Sequence, residues 1–340
     1  MSKKFALLVS VDEPTSGVSF GGSAFADAGA LRRALVKLWN FDESDVVLLA
    51  SELDGEERAV RANIEKEFAK ATQKGSLDKL VVAFWGLGRT VEPNSKRRLL
   101  LADFDPNNIN ATTVSLGSLL SATLRMRAKD SCFFLDCRPV DDDGAPMNLT
   151  SEDIETIRRY GRKIEPGYRF SALCAASAGE RSIDYEDGKV GLFTKQLIES
   201  ALENARRYQG SFDSVAGGVV QETNRIAKTR GQRQFPVYVD SGGEDARFDI
   251  TPGFKPDEQF DAYSEDIVVL PEPSQLDSND APARDEIESF ETEPSDVPES
   301  DVPTRKKSRA LLSVLYWTLG SVLGMGILFA LFLGIYYLVR

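Results

Sequence analysis

The chain has 340 residues, enough for one sizeable domain and more, and carries 41 basic against 53 acidic side chains, a formal charge of −12. The acid is concentrated: residues 256–304 hold 16 Asp or Glu against one Arg, whereas residues 1–255 come to about −2. That leaves no basic stripe for a nucleic acid, so no such partner is expected, and a chain with no histidine cannot supply an imidazole base.

In chain order, Phe5 to Val11 is an apolar run cut off by Asp12, too short for a secretory signal and read as a buried strand, so nothing here is expected to export the domain. Five further runs read as strands: Val46–Ala50, Leu80–Trp85, Cys132–Cys137, Phe170–Ala175 and Phe235–Val239. Helical stretches fall between them at about 26–39, 56–72, 115–127, 151–162, 190–206 and 211–229. Leu31, Leu35 and Leu38 repeat at helical spacing, as do Leu116, Leu119, Leu120 and Leu124. Residues 1–253 are therefore expected to form one α/β domain, a six-stranded, mostly parallel sheet with helices on both faces. Cys132, Cys137 and Cys174 lack metal-ligand spacing and read as reduced thiols; neither a metal nor a cofactor is expected.

Residues 254–304 contain seven prolines from Pro256 onward and no apolar periodicity beyond Ile267 to Leu270. They are expected to be a disordered, self-repelling acidic linker. Residues 305–309 form a basic juxtamembrane segment, with Arg305, Lys306, Lys307 and Arg309. From 310 to 339 the sequence runs 30 residues without a charge, where about 20 suffice to cross a hydrocarbon core. Trp317 and Tyr336 are 19 residues apart, about 29 Å along a helix, the separation of two membrane interfaces. A single spanning helix is expected, with the basic flank holding the preceding domain on the cytoplasmic side. Gly320 and Gly324 make a spacing through which two such helices can pair as a homodimer.

Ligands of open α/β sheets sit beyond the carboxyl ends of the strands. After the first strand, Gly17 to Ser23 is glycine-rich but matches no phosphate-binding pattern, and is read as a loop. The third strand ends in Phe84-Trp85-Gly86-Leu87-Gly88 and the fourth in Leu135-Asp136-Cys137-Arg138, apolar strands that turn polar at their tips. With Ala26-Asp27-Ala28, Leu99-Leu100-Leu101-Ala102-Asp103, Ala175-Ala176-Ser177, Gly191-Leu192-Phe193-Thr194 and Gln234-Phe235-Pro236, in that order over about residues 4–240, the chain resembles the caspase and metacaspase-like cysteine peptidases. In that family the third strand runs into Ser-Gly-His-Gly and the fourth into Asp-Ala-Cys or Asp-Cys-Cys.

The resemblance implies a caspase-like fold and, in an intact member, a Cys thiolate activated by a His. Here Leu87 stands at the His position and Arg138 at the Cys position, or Cys137 if one residue is deleted, so no catalytic dyad is expected. Asp27 and Asp136 match the carboxylates that form the pocket for a substrate Arg or Lys. Side chains alternate along a strand, so Arg138 shares a face with Asp136 and can fold into that pocket, while Cys137 faces away. The expected function is a membrane-anchored pseudopeptidase that binds, scaffolds or regulates a protein or peptide partner presenting basic residues. The alternative is a cysteine-type endopeptidase, or another hydrolase with a rewired site near Ser131, Ser177 or Lys189. A third reading is a passive spacer. Asp103 and Asp105 read as turn residues, and Asp141 to Asp143 as a solvated loop rather than a metal site.

Overall fold

A computed structural model describes residues 2–14, 23–91, 96–139, 149–185, 189–207, 210–241, 246–247, 251, 260 and 262–263. The elements are β1 (Lys4–Ser10), α1 (Ala24–Lys37), β2 (Val46–Ala50), α2 (Arg61–Gln73), β3 (Lys79–Val91), β4 (Lys96–Leu100), α3 (Ile109–Thr112), β5 (Thr113–Ser115), α4 (Leu116–Arg125), β6 (Asp130–Pro139) and α5 (Ser151–Gly161), followed by β7 (Arg169–Cys174), β8 (Asp184–Tyr185), β9 (Val190–Gly191), α6 (Leu192–Arg206), α7 (Phe212–Thr229) and β10 (Val237–Asp240).

The main sheet runs β10-β7-β6-β3-β1-β2, parallel except for β10, which is antiparallel to β7. These six strands are the ones read from the sequence. β3 goes on beyond Trp85 as far as Val91, and β4 pairs back along it, with β5 antiparallel to β4 in turn. The sheet thus has eight strands, and β8 and β9 form a separate two-stranded ribbon. The expected helix at 56–72 begins only at Arg61, after a short 3-10 turn over Gly55–Glu57.

The apolar runs are near-continuous because the sheet is covered on both sides. Ala6 and Leu8 of β1, Ala83 and Trp85 of β3 and Phe134 of β6 pack in one core with α1, α6 and α7. Leu7 and Val9, Val82 and Phe84, and Phe133 and Leu135 pack in a second core with α2, α4 and α5. A fully buried side chain of this size contributes about 1.5–3 kcal/mol, so a shift of register by one residue would exchange the contents of both cores.

Polar side chains start the helices. The Asp12 carboxylate accepts the N–H groups of Ala24 and Phe25, each at 2.9 Å, at the head of α1. Thr150 and Asp153 form a reciprocal capping box on α5. Within the segment read as linker, Phe260 and Tyr263 pack against the first core and Ala262 is buried. No helix among the described residues is long and apolar enough to cross a membrane. The helix expected at 310–339, its Gly320 and Gly324, and the basic segment 305–309 lie outside the described residues.

Candidate functional site

β3 and β6 are in register over their whole shared length, which sets Trp85 beside Asp136, Gly86 beside Cys137 and Leu87 beside Arg138. Alternation continues to the strand tips. Trp85 and Leu87 lie in the first core, Leu87 with 1% of its surface exposed, so Asp136 and Arg138 share that face. Cys137 packs with the second core. The Trp85 indole N–H donates to Thr194 Oγ1 at 2.9 Å, fixing the start of α6 over the same face.

Asp27, in the first turn of α1, and Asp136 are both buried, at 0% and 1% exposure. The Asp27 carboxylate accepts the Gly191 N–H at 3.0 and 3.1 Å, and Gly191 is the N-cap of α6. Helix dipole and hydrogen bond both favour the anion, but burial is the larger influence. With Asp136 close by, it holds the Asp27 carboxyl well above the usual range. A Cβ on Gly191 would come 2.7 Å from Asp27 Oδ2 and 3.6 Å from Asp136 Oδ2, so only glycine leaves room between the two carboxylates.

Asp136 Oδ2 accepts from Ser182 Oγ at 3.0 Å. Burial raises the Asp136 pKa as well, opposed by the positive charge of Arg138 and the Ser182 hydroxyl. Among the described residues its Oδ1 has no hydrogen-bond partner. Arg138 extends across this pocket: its Nη2 is 2.5 Å from Asp184 Oδ1 and 3.5 Å from Ser23 Oγ. Asp136, Asp184 and Asp27 together raise its pKa despite burial. Gln234 holds the loop that brings these groups in: its Nε2 donates to Ala175 O at 2.8 Å and its Oε1 accepts from Ile183 N at 3.0 Å.

On the other side of the sheet the Cys137 sulfur lies where a Gly88 Cβ would be, 2.4 Å from that position. Burial pushes its thiol up to about 12, and the nearby Arg97 charge does not compensate, because Asp153 cancels it. Arg97 Nε and Nη2 donate to Asp153 Oδ2 at 3.2 and 3.0 Å in a buried pair. The half-buried Cys137 thiol thus faces the second core, across the sheet from Asp136 and Arg138.

The structure therefore gathers Asp27, Asp136, Arg138 and Leu87 at one place and sets Cys137 behind them. Asp184, Ser182, Gly191 and Gln234 complete the surround. Ser131 lies at the opposite end of β6, paired with Leu80 and Phe170. Ser177 donates to Phe235 O at 2.8 Å, and Lys189 is exposed just before β9. Asp105 accepts the Asn107 N–H at 2.8 Å, as a turn residue does; Asp141 to Asp143 lie outside the described residues. No group of three or more His, Cys, Asp or Glu among the described residues is placed to hold a metal ion.

No family model matches the chain, and no curated protein matches its sequence. Among solved structures, it is similar to a protein of Geobacter sulfurreducens at 18% identity, over 72% of this chain and 95% of that one, with a TM-score of 0.48. It is also similar to caspase-1 of Spodoptera frugiperda at 16% identity, over 70% and 86% of the two chains, with a TM-score of 0.47. For the Drosophila initiator caspase Dronc the identity is 9%, over 74% and 84%, with a TM-score of 0.43.

Proposed function

We propose that this chain is a membrane-anchored, caspase-like pseudopeptidase whose domain binds, scaffolds or regulates a protein or peptide partner on the cytoplasmic side. The reading is carried by one observation: the two positions that match the family's His and Cys hold Leu87 and Arg138, side by side in register. Neither can act as base or thiol nucleophile, and the neighbouring Cys137 faces the other core. Arg138 serves instead as a built-in occupant of the acidic pocket, its guanidinium standing where a partner's basic side chain would otherwise sit. Asp27 and Asp136 form the floor, and Asp184 takes the ion pair.

Two measurements test this. The full-length protein, incubated with fluorogenic peptides bearing Arg, Lys or Asp at the cleavage position, shows no turnover. Turnover lost in Cys137→Ala would restore the cysteine peptidase, and turnover surviving it would point to a rewired hydrolase. In the second, Arg138→Ala vacates the pocket and binds an Arg-containing peptide at least about tenfold tighter than wild type, since a charge-assisted bond contributes roughly 1.5–3 kcal/mol. Equal affinities would remove Arg138 from the pocket's account.

A further inference from the structure

β2 forms one edge of the main sheet and pairs within it only with β1. Ala50 O accepts the Ala59 N–H at 2.9 Å, and the Val46 N–H donates to Glu43 O. In a parallel strand the N–H and C=O of one residue point the same way and alternate residues point oppositely. The even-numbered residues of β2 therefore turn their backbone groups away from β1. Leu48, between those two, has no outward backbone partner among the described residues. Along this edge runs a groove of about 600 Å³, bordered by Phe25, Gly29 and Arg33 of α1, Val47 and Leu48 of β2, and Lys70 of α2. A strand edge open at Leu48, beside half-buried apolar side chains, is a surface that an added strand fills.

We propose that Ile267 to Leu270 of this same chain docks on that edge as an additional strand. The described chain ends at the groove's rim: Ala262 is buried, its carbonyl oxygen accepts from Arg33 Nε, and Arg33 itself lines the groove. From Tyr263 the four residues to Ile267 reach up to about 14 Å, starting beside Arg33, which lines the groove. Ile267-Val268-Val269-Leu270 is the one apolar run in the acidic stretch 256–304, and three of its four residues are β-branched. Pro271 follows at once and, having no N–H, ends the pairing there. This docking is independent of the pocket's role. It covers an edge otherwise open to other molecules and moves the start of the free tether from beyond Tyr263 to residue 271.

Hydrogen exchange on the full-length protein in detergent micelles tests the docking. The Leu48 amide and those of Val268 and Leu270, which alternate toward β2, are slowed at least about hundredfold relative to unstructured peptide. Val268→Pro removes a donor and releases Leu48 and its own segment by about tenfold or more, with β1, β3 and β6 unchanged. A synthetic peptide of residues 264–273 added to that variant restores protection at Leu48. Exchange of Val268 and Leu270 at the unstructured rate in the wild type overturns the proposal whatever the variant does. So does a Leu48 amide unmoved by Val268→Pro, or one whose protection rises with protein concentration, which would assign the edge to a second copy.

Discussion

Asp27 and Asp136 are a buried pair of like charges, and their titration decides how the domain answers pH. An aspartate in an unfolded chain titrates near about 3.9. In the folded protein burial raises both, aided at Asp27 by the charge of Asp136 and at Asp136 by that of Asp184, so folding takes up protons between the unfolded value and the raised folded ones. Across that window stability falls as pH rises, and above it the loss is complete and flat. Asp78 contributes the opposite slope at the acid end, because its hydrogen bond with Lys129 lowers it to about 2. Its contribution is present above the unfolded value and vanishes as pH drops through the folded one. Asp27→Asn keeps an oxygen for the Gly191 N–H and removes one charge. Urea unfolding at pH 7 should find the variant more stable than wild type, because the buried charge is gone. Its stability should also vary less between pH 4 and 7. A variant as pH-dependent as wild type would mean that Asp27 is ionised throughout.

β6 shows what a strand does to a short motif. Asp136, Cys137 and Arg138 are adjacent in sequence but divided between two faces, and the sheet separates the thiol from the pocket. With its thiol pushed up to about 12 against about 8.5 for an ordinary one, Cys137 should react with iodoacetamide at pH 8 at least about a hundredfold more slowly in the native protein than in urea. Mass spectrometry of the labelled peptide gives both rates. Comparable rates would put the thiol in solvent. The hairpin of β3 and β4 is tied to α5 by the Arg97–Asp153 pair, both members buried. Removing one member leaves the other uncompensated, so Arg97→Ala should cost about 3–5 kcal/mol in chemical denaturation. The six strands of the main path were legible because each is an apolar run covered on both faces. β4, reading Lys96 to Leu100, was not, since its charged residues hide a strand that only its pairing with β3 creates. Asp27 and Asp136 were legible through the motifs that contain them. Asp184 was not: it opens the two-residue strand β8, whose position depends on Gln234 reaching across from a distant segment to hold Ile183.

For the whole molecule, the proposed function depends on where the domain is kept as well as on what fills its pocket. A binding module gains from confinement, because a tether converts encounters with membrane-bound partners into nearly intramolecular ones. In the proposed function that task falls to residues 310–339, with the basic residues Arg305, Lys306, Lys307 and Arg309 before them as the expected cytoplasmic flank. Flotation through a density gradient separates the outcomes, since aggregated protein stays at the bottom and only bilayer-held protein rises with vesicles. Full-length protein synthesised with microsomes should float after alkaline extraction, and a chain ending at residue 309 should stay at the bottom of the gradient. Protease added to the sealed microsomes should digest the domain, which the proposed orientation sets on their outer side. Replacing the four basic residues before the span with Glu, while extending the chain after Arg340 with lysines, should shift part of the population to the protected side. A domain protected in the wild type would reverse the topology and move any partner to the other compartment. A full-length chain that fails to float would remove the membrane from the proposed function and leave the pocket to act in solution.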